Sequence, residues 1–314
     1  MKLTVGVDIG GTKIAAGVVD HAGRVLARRQ RPTPARTADV SEAVAVLVEE
    51  LCGDNPVEAV GLGVGGFIDA ERETVLFAKN IGWRGEPIRR TMARRLGLPV
   101  AIENDANAAA WAESRFGAGR GEPFLVVLTV GTGVGCGIII GEQIYRGRFG
   151  TAAECGHLPL VPGGLKCSCG GDGCWEMYCS GTALEYGARK LAQEGGADGL
   201  LRRAGGCSDA ITGGLVTTAA AEGDAVALAL LREIAWWLGR GMAAIAAVID
   251  PGCFVIAGGL AVAESQLLEV ARESFLSHLP ARGMRGEARI VAAGLGLDAG
   301  LIGAADLARV EASH

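Results

Sequence analysis

Two stretches of this chain repeat one plan 121 residues apart, and that repetition limits the folds open to it. Leu3 to Val19 is an apolar run broken at Gly10-Gly11-Thr12, and Phe124 to Ile140 is another broken at Gly131-Thr132-Gly133. Apolar, β-rich segments on either side of a glycine turn predict strand, turn, strand. A third strand is expected from Arg24 to Arg29 after the first copy, and near Gln143 to Arg146 after the second. Further strands are expected at Ala59–Val64, Val100–Ile102, Cys253–Ala257 and Arg289–Ala292. Helical spacing marks Ser41–Cys52, with Ser41 as N-cap, then Pro87–Leu96 and Asn104–Phe116, which Gly117 stops. Later helices are expected at Gly181–Glu194, Thr217–Gly223, Ala225–Val248, Ala263–His278 and Leu297–Val310. The result is two α/β halves, each offering one glycine turn, with a ligand cleft expected between them.

Composition narrows the function. A chain of 314 residues has room for about two domains, and 49% hydrophobic residues suffice for a sizeable core. The net charge is −5 and no basic run exceeds Arg28-Arg29, so a nucleic-acid partner is not expected. Aromatics at 5% also argue against stacking platforms for single strands. Pro123–Gly141 is uncharged over 19 residues, but five glycines and two threonines make it two strands and a turn rather than a membrane span. The opening Met1-Lys2 leads straight into the first strand, with no secretory h-region. A cytoplasmic setting is expected, where nine cysteines, an odd number, suggest a metal site rather than disulfides.

Two phosphate fingerprints fail on inspection. Gly6-Val-Asp-Ile-Gly-Gly-Thr-Lys13 has Thr and Lys in the wrong order for a P-loop, and its turn joins two strands. Gly61-Leu-Gly-Val-Gly-Gly66 matches G-x-G-x-x-G, but Phe67-Ile68-Asp69 opens no helix. The glycine turns at 10–12 and 131–133 have another logic. Their backbone amides can converge on an oxyanion, Thr12 and Thr132 add hydroxyls, and Asp8 can hold Mg2+. Gly258-Gly259 after a strand is a third such turn; one alone would pass for an ordinary hairpin or loop.

The sharpest constellation is His157 with Cys167, Cys169 and Cys174. Three thiols within eight residues of a glycine-rich loop, plus an imidazole, match a Cys3His tetrahedral zinc set with no open position, so the zinc would be structural; the plain alternative is a group of reduced buried cysteines. Cys52, Cys136, Cys155, Cys179, Cys207 and Cys253 are scattered, and His21, His278 and His314 show no partner pattern. Glu103-Asn-Asp-Ala-Asn107 lies at a strand-to-helix junction. Its plain role is a helix N-cap. Asp105, however, is also placed to face a cleft, where the helix dipole is expected to keep it ionised and able to accept a hydroxyl proton.

These residues together resemble the ROK family (repressors, open reading frames, sugar kinases). The resemblance spans essentially the whole chain through Asp8-x-Gly-Gly-Thr-Lys13, Glu103–Asn107, Leu128–Ile138, Glu154-x-Gly-His157 and Cys167-x-Cys-Gly-x-x-Gly-Cys-x-Glu176. It implies a duplicated ribonuclease H-like, actin-like ATPase fold of class α/β with a zinc-binding loop. The small domain would cover 1–109, with a C-terminal helix at about 298–314 returning to it, and the large domain 110–297. It implies ATP-dependent phosphorylation of glucose at the 6-hydroxyl, with Asp105 as general base. Gly65, Gly66, Asn104, Asp105, Glu154, His157 and Glu176 would bind the sugar. ATP and Mg2+ would lie on Asp8, Gly10, Gly11, Thr12, Lys13, Gly131, Thr132, Gly133, Gly258 and Gly259. His157 would be shared between zinc and sugar. A homodimer or homotetramer is implied. N-acetylglucosamine, N-acetylmannosamine or mannose are the alternative substrates, and a non-catalytic sugar sensor is the alternative class.

Overall fold

The computed structural model describes residues 3–53, 55–259 and 265–313. His314 and the start of the helix expected from Ala263 lie outside them. The first hairpin is β1 (Leu3–Ile9) and β2 (Lys13–Val19), antiparallel with Asp8 opposite Ala15. β3 (Val25–Pro32) extends it. After α1 (Val40–Cys52), β4 (Val57–Val64) returns parallel to β1. A small antiparallel sheet follows, made of β5 (Phe67–Ile68), β6 (Val75–Ala78) and β7 (Trp83–Glu86). Then come α2 (Ile88–Leu96), β8 (Val100–Asn104), parallel to β4, and α3 (Asp105–Phe116).

The second copy holds β9 (Phe124–Val130), β10 (Val134–Ile140) and β11 (Gln143–Ile144). A helical stretch follows, with α4 (Glu176–Cys179), α5 (Gly181–Gln193), α6 (Asp198–Arg203), α7 (Gly213–Ala221) and α8 (Ala225–Ile249). β12 (Cys253–Ala257), α9 (Ser265–His278), β13 (Arg289–Ala292) and α10 (Ala299–Glu311) complete the chain. The two main sheets have the same strand order, β3-β2-β1-β4-β8 and β11-β10-β9-β12-β13. The spacing of 121 residues holds at both ends of both hairpin strands.

Contacts gather the chain into two compact units. One contains the chain up to Val127, then Cys136–Ala153 and the chain from Ala293; the other contains Leu128–Gly135 and Glu154–Ala292. The boundary expected at 109/110 falls inside α3.

In the first unit, β1 and β4 are buried almost throughout; α10 packs on both, and α1 on β1 and its neighbours β2 and β3. Ile9, Ile14, Leu47, Leu62, Ile88 and Met92 are fully buried there, each contributing about 1.5–3 kcal/mol of transfer free energy. Close approach explains the strand glycines. A Cβ at Gly6 would overlap the carbonyl oxygen of Leu301, and one at Gly61 that of Ala304, both on α10. A Cβ at Gly303 would in turn overlap the carbonyl of Ala108 on α3. Gly61 therefore serves helix packing.

Two local expectations need correction. α1 begins at Val40, one residue before Ser41, and no side chain caps it. A turn of 3-10 helix at Thr37–Asp39 runs straight into it, so the chain is already helical where a capping hydroxyl would act. The β5–β7 sheet went unread because strands of two to four residues show too little alternation to detect. Among the described residues, no single helix is long and apolar enough to cross a membrane.

Candidate functional site

In the first unit, three chain segments meet at the C-terminal ends of adjacent parallel strands, the usual ligand-binding edge of an α/β sheet. Asp8 is the penultimate residue of β1, Gly65-Gly66 follow β4, and Asn104 closes β8 just ahead of Asp105. Asn104 caps α3: its Oδ1 accepts from the Asn107 amide at 3.0 Å, and its Nδ2 donates to Gly66 O at 3.1 Å. The capping role and a cleft role thus share one side chain, which keeps one Nδ2 hydrogen to offer.

Asp105 heads α3, and its Oδ1 accepts from the Ala106 amide at 2.9 Å. A Cβ on Gly65 would sit 3.1 Å from Asp105 Oδ2, a tight contact that glycine avoids. The helix amides were expected to keep Asp105 ionised. Burial acts the other way and dominates, pushing its pKa up, with the Ala106 amide opposing. Asp8 is raised to about 6, first by burial and then by the neighbouring charge of Asp105, with Lys13 opposing. The glycine turn beside it is closed by Gly10 N on Lys13 O at 3.0 Å and pinned by Thr33, whose hydroxyl donates to Gly10 O at 2.6 Å. Gly11, Thr12 and Lys13 are exposed.

A buried carboxylate beside this site went unread in the sequence. Glu103 is 3% exposed and pairs with Arg146, from the segment after β11. Its signal was an acidic residue directly after the apolar run Val100-Ala-Ile102.

In the second unit, the ligand atoms of His157, Cys167, Cys169 and Cys174 all lie within 4.8 Å of one another. Cys169 Sγ and Cys174 Sγ are 3.5 Å apart, and Cys167 Sγ is 3.6 Å from His157 Nδ1. Zinc–sulfur bonds of ~2.3 Å at tetrahedral angles put ligand atoms about 3.8 Å apart, so the donor set and its spacing fit zinc. Nδ1 is the ring nitrogen turned to the thiols, which leaves Nε2 for another partner. Burial, then hydrogen bonds with Cys169 and Cys167, push the Cys174 thiol up to about 12; a cation in the cluster would reverse that.

The loop is held from behind. Trp175 is fully buried and its Nε1 donates to Trp237 O at 2.7 Å. Glu176 places Oε1 3.3 Å from Cys167 Sγ and 3.5 Å from His157 Nδ1, while Oε2 lies 3.4 Å from the Val134 amide. Glu154 is exposed, immediately before the short helical turn Cys155–His157, and its carbonyl accepts from the His157 amide at 3.0 Å. It follows Ala153, whose φ of +71° lies in the left-handed region.

The second glycine turn is in the same unit. Gly131 N donates to Gly133 O at 3.0 Å, and Thr182 holds Thr132 O through its hydroxyl at 2.7 Å. Gly258, at φ +99°, follows β12 against the backbone of Val130. Each unit thus carries its own glycine turn and its own polar cluster.

The profile described as ROK family matches residues 4–311. The chain belongs to the ROK family. Its paired sheets of identical order are the duplicated halves of the actin-like ATPase fold that goes with that membership. The ROK relative named glucokinase from Streptomyces coelicolor is 47% identical, covering 98% of both chains. The crystal structure of a ROK family glucokinase from Streptomyces griseus, in complex with glucose and AMPPNP, is 48% identical with a TM-score of 0.91, covering 98% of this chain and 99% of that one. The ROK hexokinase from Thermus thermophilus is 37% identical with a TM-score of 0.81, covering 99% of both.

Proposed function

We propose that this chain transfers the γ-phosphoryl group of ATP to the 6-hydroxyl of glucose, with Asp105 accepting the hydroxyl proton. The observation that carries the reading is the placement of Asp105: a mostly buried carboxylate heading α3 at the sheet edge, with Gly65 leaving one oxygen uncovered. Support also comes from the Streptomyces relatives, one named glucokinase and one holding glucose and AMPPNP.

Phosphoryl transfer asks little covalent work of the protein; position and charge decide the rate. The bond from O6 to the γ-phosphorus forms as the bond to the β–γ bridging oxygen breaks. The proton of O6 passes to Asp105, whose raised pKa makes it a better acceptor than an ordinary surface aspartate. Gly65, Gly66, Asn104, Glu154, His157 and Glu176 would hold the sugar hydroxyls. The exposed turns Gly10–Lys13, Gly131–Gly133 and Gly258-Gly259 would hold the ATP phosphates. Asp8 would hold Mg2+, which supplies charge neutralisation on those phosphates. Nδ1 of His157 and the sulfurs of Cys167, Cys169 and Cys174 would hold zinc, which supplies a rigid anchor for the loop. His157 then presents Nε2 in one fixed direction, as second-partner geometry at metal-bound imidazoles requires.

The test is ATP turnover across a hexose panel, with metal content measured on the same preparation. Glucose is expected to give the highest kcat/KM, with about one zinc per chain. A higher kcat/KM for N-acetylmannosamine, N-acetylglucosamine or mannose would overturn the glucose reading, and sugar binding without turnover would overturn the kinase reading.

A further inference from the structure

A proton acceptor works only where it is held, and the side chain of Asp105 supplies little of its own restraint. Glu103, two residues earlier on β8, supplies more. Its Oε1 accepts from the Asn104 amide at 3.1 Å and from Asn107 Nδ2 at 3.0 Å. Those groups lie on either side of Asp105, so one oxygen fixes both the strand end and the first turn of α3. Its Oε2 accepts from Arg146 Nε at 2.7 Å and from Nη2 at 2.5 Å. All four contacts meet on a carboxylate that is 3% exposed.

Arg146 is itself anchored. Its carbonyl accepts from the Ala152 amide at 3.1 Å, and the preceding Tyr145 amide donates to Ile138 O at 2.8 Å. Gly150, at φ +82°, packs against Ile68, where a Cβ would come within 2.7 Å of the carbonyl oxygen. A guanidinium gripping one carboxylate from a closed loop is a directional restraint that an ammonium does not reproduce.

We infer that Glu103, held by Arg146, is a positioning residue that sets the orientation of the Asp105 carboxylate. The inference rests on Asp105 being the base. A purely structural ion pair would lower stability and leave the turnover of folded enzyme, or its dependence on Asp105, unchanged. A positioning residue acts through Asp105 alone, so its effect must vanish when Asp105 cannot accept a proton.

The experiment measures glucose-dependent ATP turnover at a temperature where every variant is folded by circular dichroism. Glu103→Gln is expected to lower kcat about 30-fold, since displacement of a reacting group by an ångström costs up to ~100-fold, with KM for ATP within about 3-fold of the parent. In an Asp105→Asn background, Glu103→Gln should cause no further loss. An unchanged kcat in Glu103→Gln, or the same 30-fold loss added to that of Asp105→Asn, overturns the inference. Should Glu103→Gln not fold, Arg146→Lys, at a partly exposed site, replaces it, with an expected loss of about 10-fold and the same non-additivity. If the parent shows no turnover with glucose, the proposed function itself fails; if the parent turns over and the variants match it, only this inference fails.

Discussion

At the scale of single residues, two carboxylates carry testable charge. Asp105→Asn keeps shape and removes the proton acceptor; kcat should fall at least ~1,000-fold, in the upper range of general-base losses, while glucose binding measured calorimetrically changes little. Asp8 makes a prediction of the opposite kind. Its folded pKa of about 6 exceeds the ordinary 3.8, so the folded state binds its proton more tightly than the unfolded chain. That contribution to stability is fully present below pH 3.8 and lost as pH rises through about 6. At pH 7 the ionised Asp8 therefore costs the ligand-free protein up to about 3 kcal/mol. Asp8→Asn should raise Tm by several degrees at pH 7, leave it nearly unchanged at pH 4, and abolish Mg-ATP turnover. A lower Tm at pH 7 would refute the burial cost on Asp8. Asp105 and the Cys3His set were legible in the sequence because both are local: a junction motif of five residues, and three thiols within eight. Glu103 was not, because its meaning depends on Arg146, 43 residues away, which no spacing rule connects.

Among the elements, the contact of α10 with β1 and β4 is the most demanding. Gly61→Ala should destabilise by about 3 kcal/mol or more, because its methyl would overlap a helix carbonyl that has no room to withdraw. Gly63→Ala, two residues along the same strand, meets nothing nearer than 3.5 Å and should cost under about 1 kcal/mol. Urea titration of the pair checks the claim, and equal effects would refute it. In the sequence these glycines looked like fragments of phosphate motifs, since pattern alone does not separate a backbone approached by a ligand from one approached by a helix. The metal loop is the other element that stands or falls as a unit. Removing zinc with a chelator, or Cys174→Ser, should lower Tm by about 5 °C or more and raise KM for glucose more than KM for ATP, as calorimetry and steady-state kinetics would show. The short β5–β7 sheet and α6 were illegible for a simpler reason: elements that brief are fixed by what they pack on.

For the whole molecule, the duplication was readable because hairpins with a common spacing leave the same mark twice. The fold that the two halves share follows from that mark, whereas the grouping of chain segments into units does not. Segments 136–153 and 293–314 join the first unit through contacts far apart in sequence. Buried Glu113 shows how such a return is secured. Its carboxylate accepts from the amides of Ala118 at 2.8 Å, Gly294 at 3.0 Å and Leu295 at 2.9 Å, fastening the chain just before α10. Because α10 covers β1 and β4, strands made long before it, their sheet waits for a helix that is synthesised much later. A ribosome would have to make every element between them before that surface is sealed, and a stop codon near residue 297 would leave it open for good.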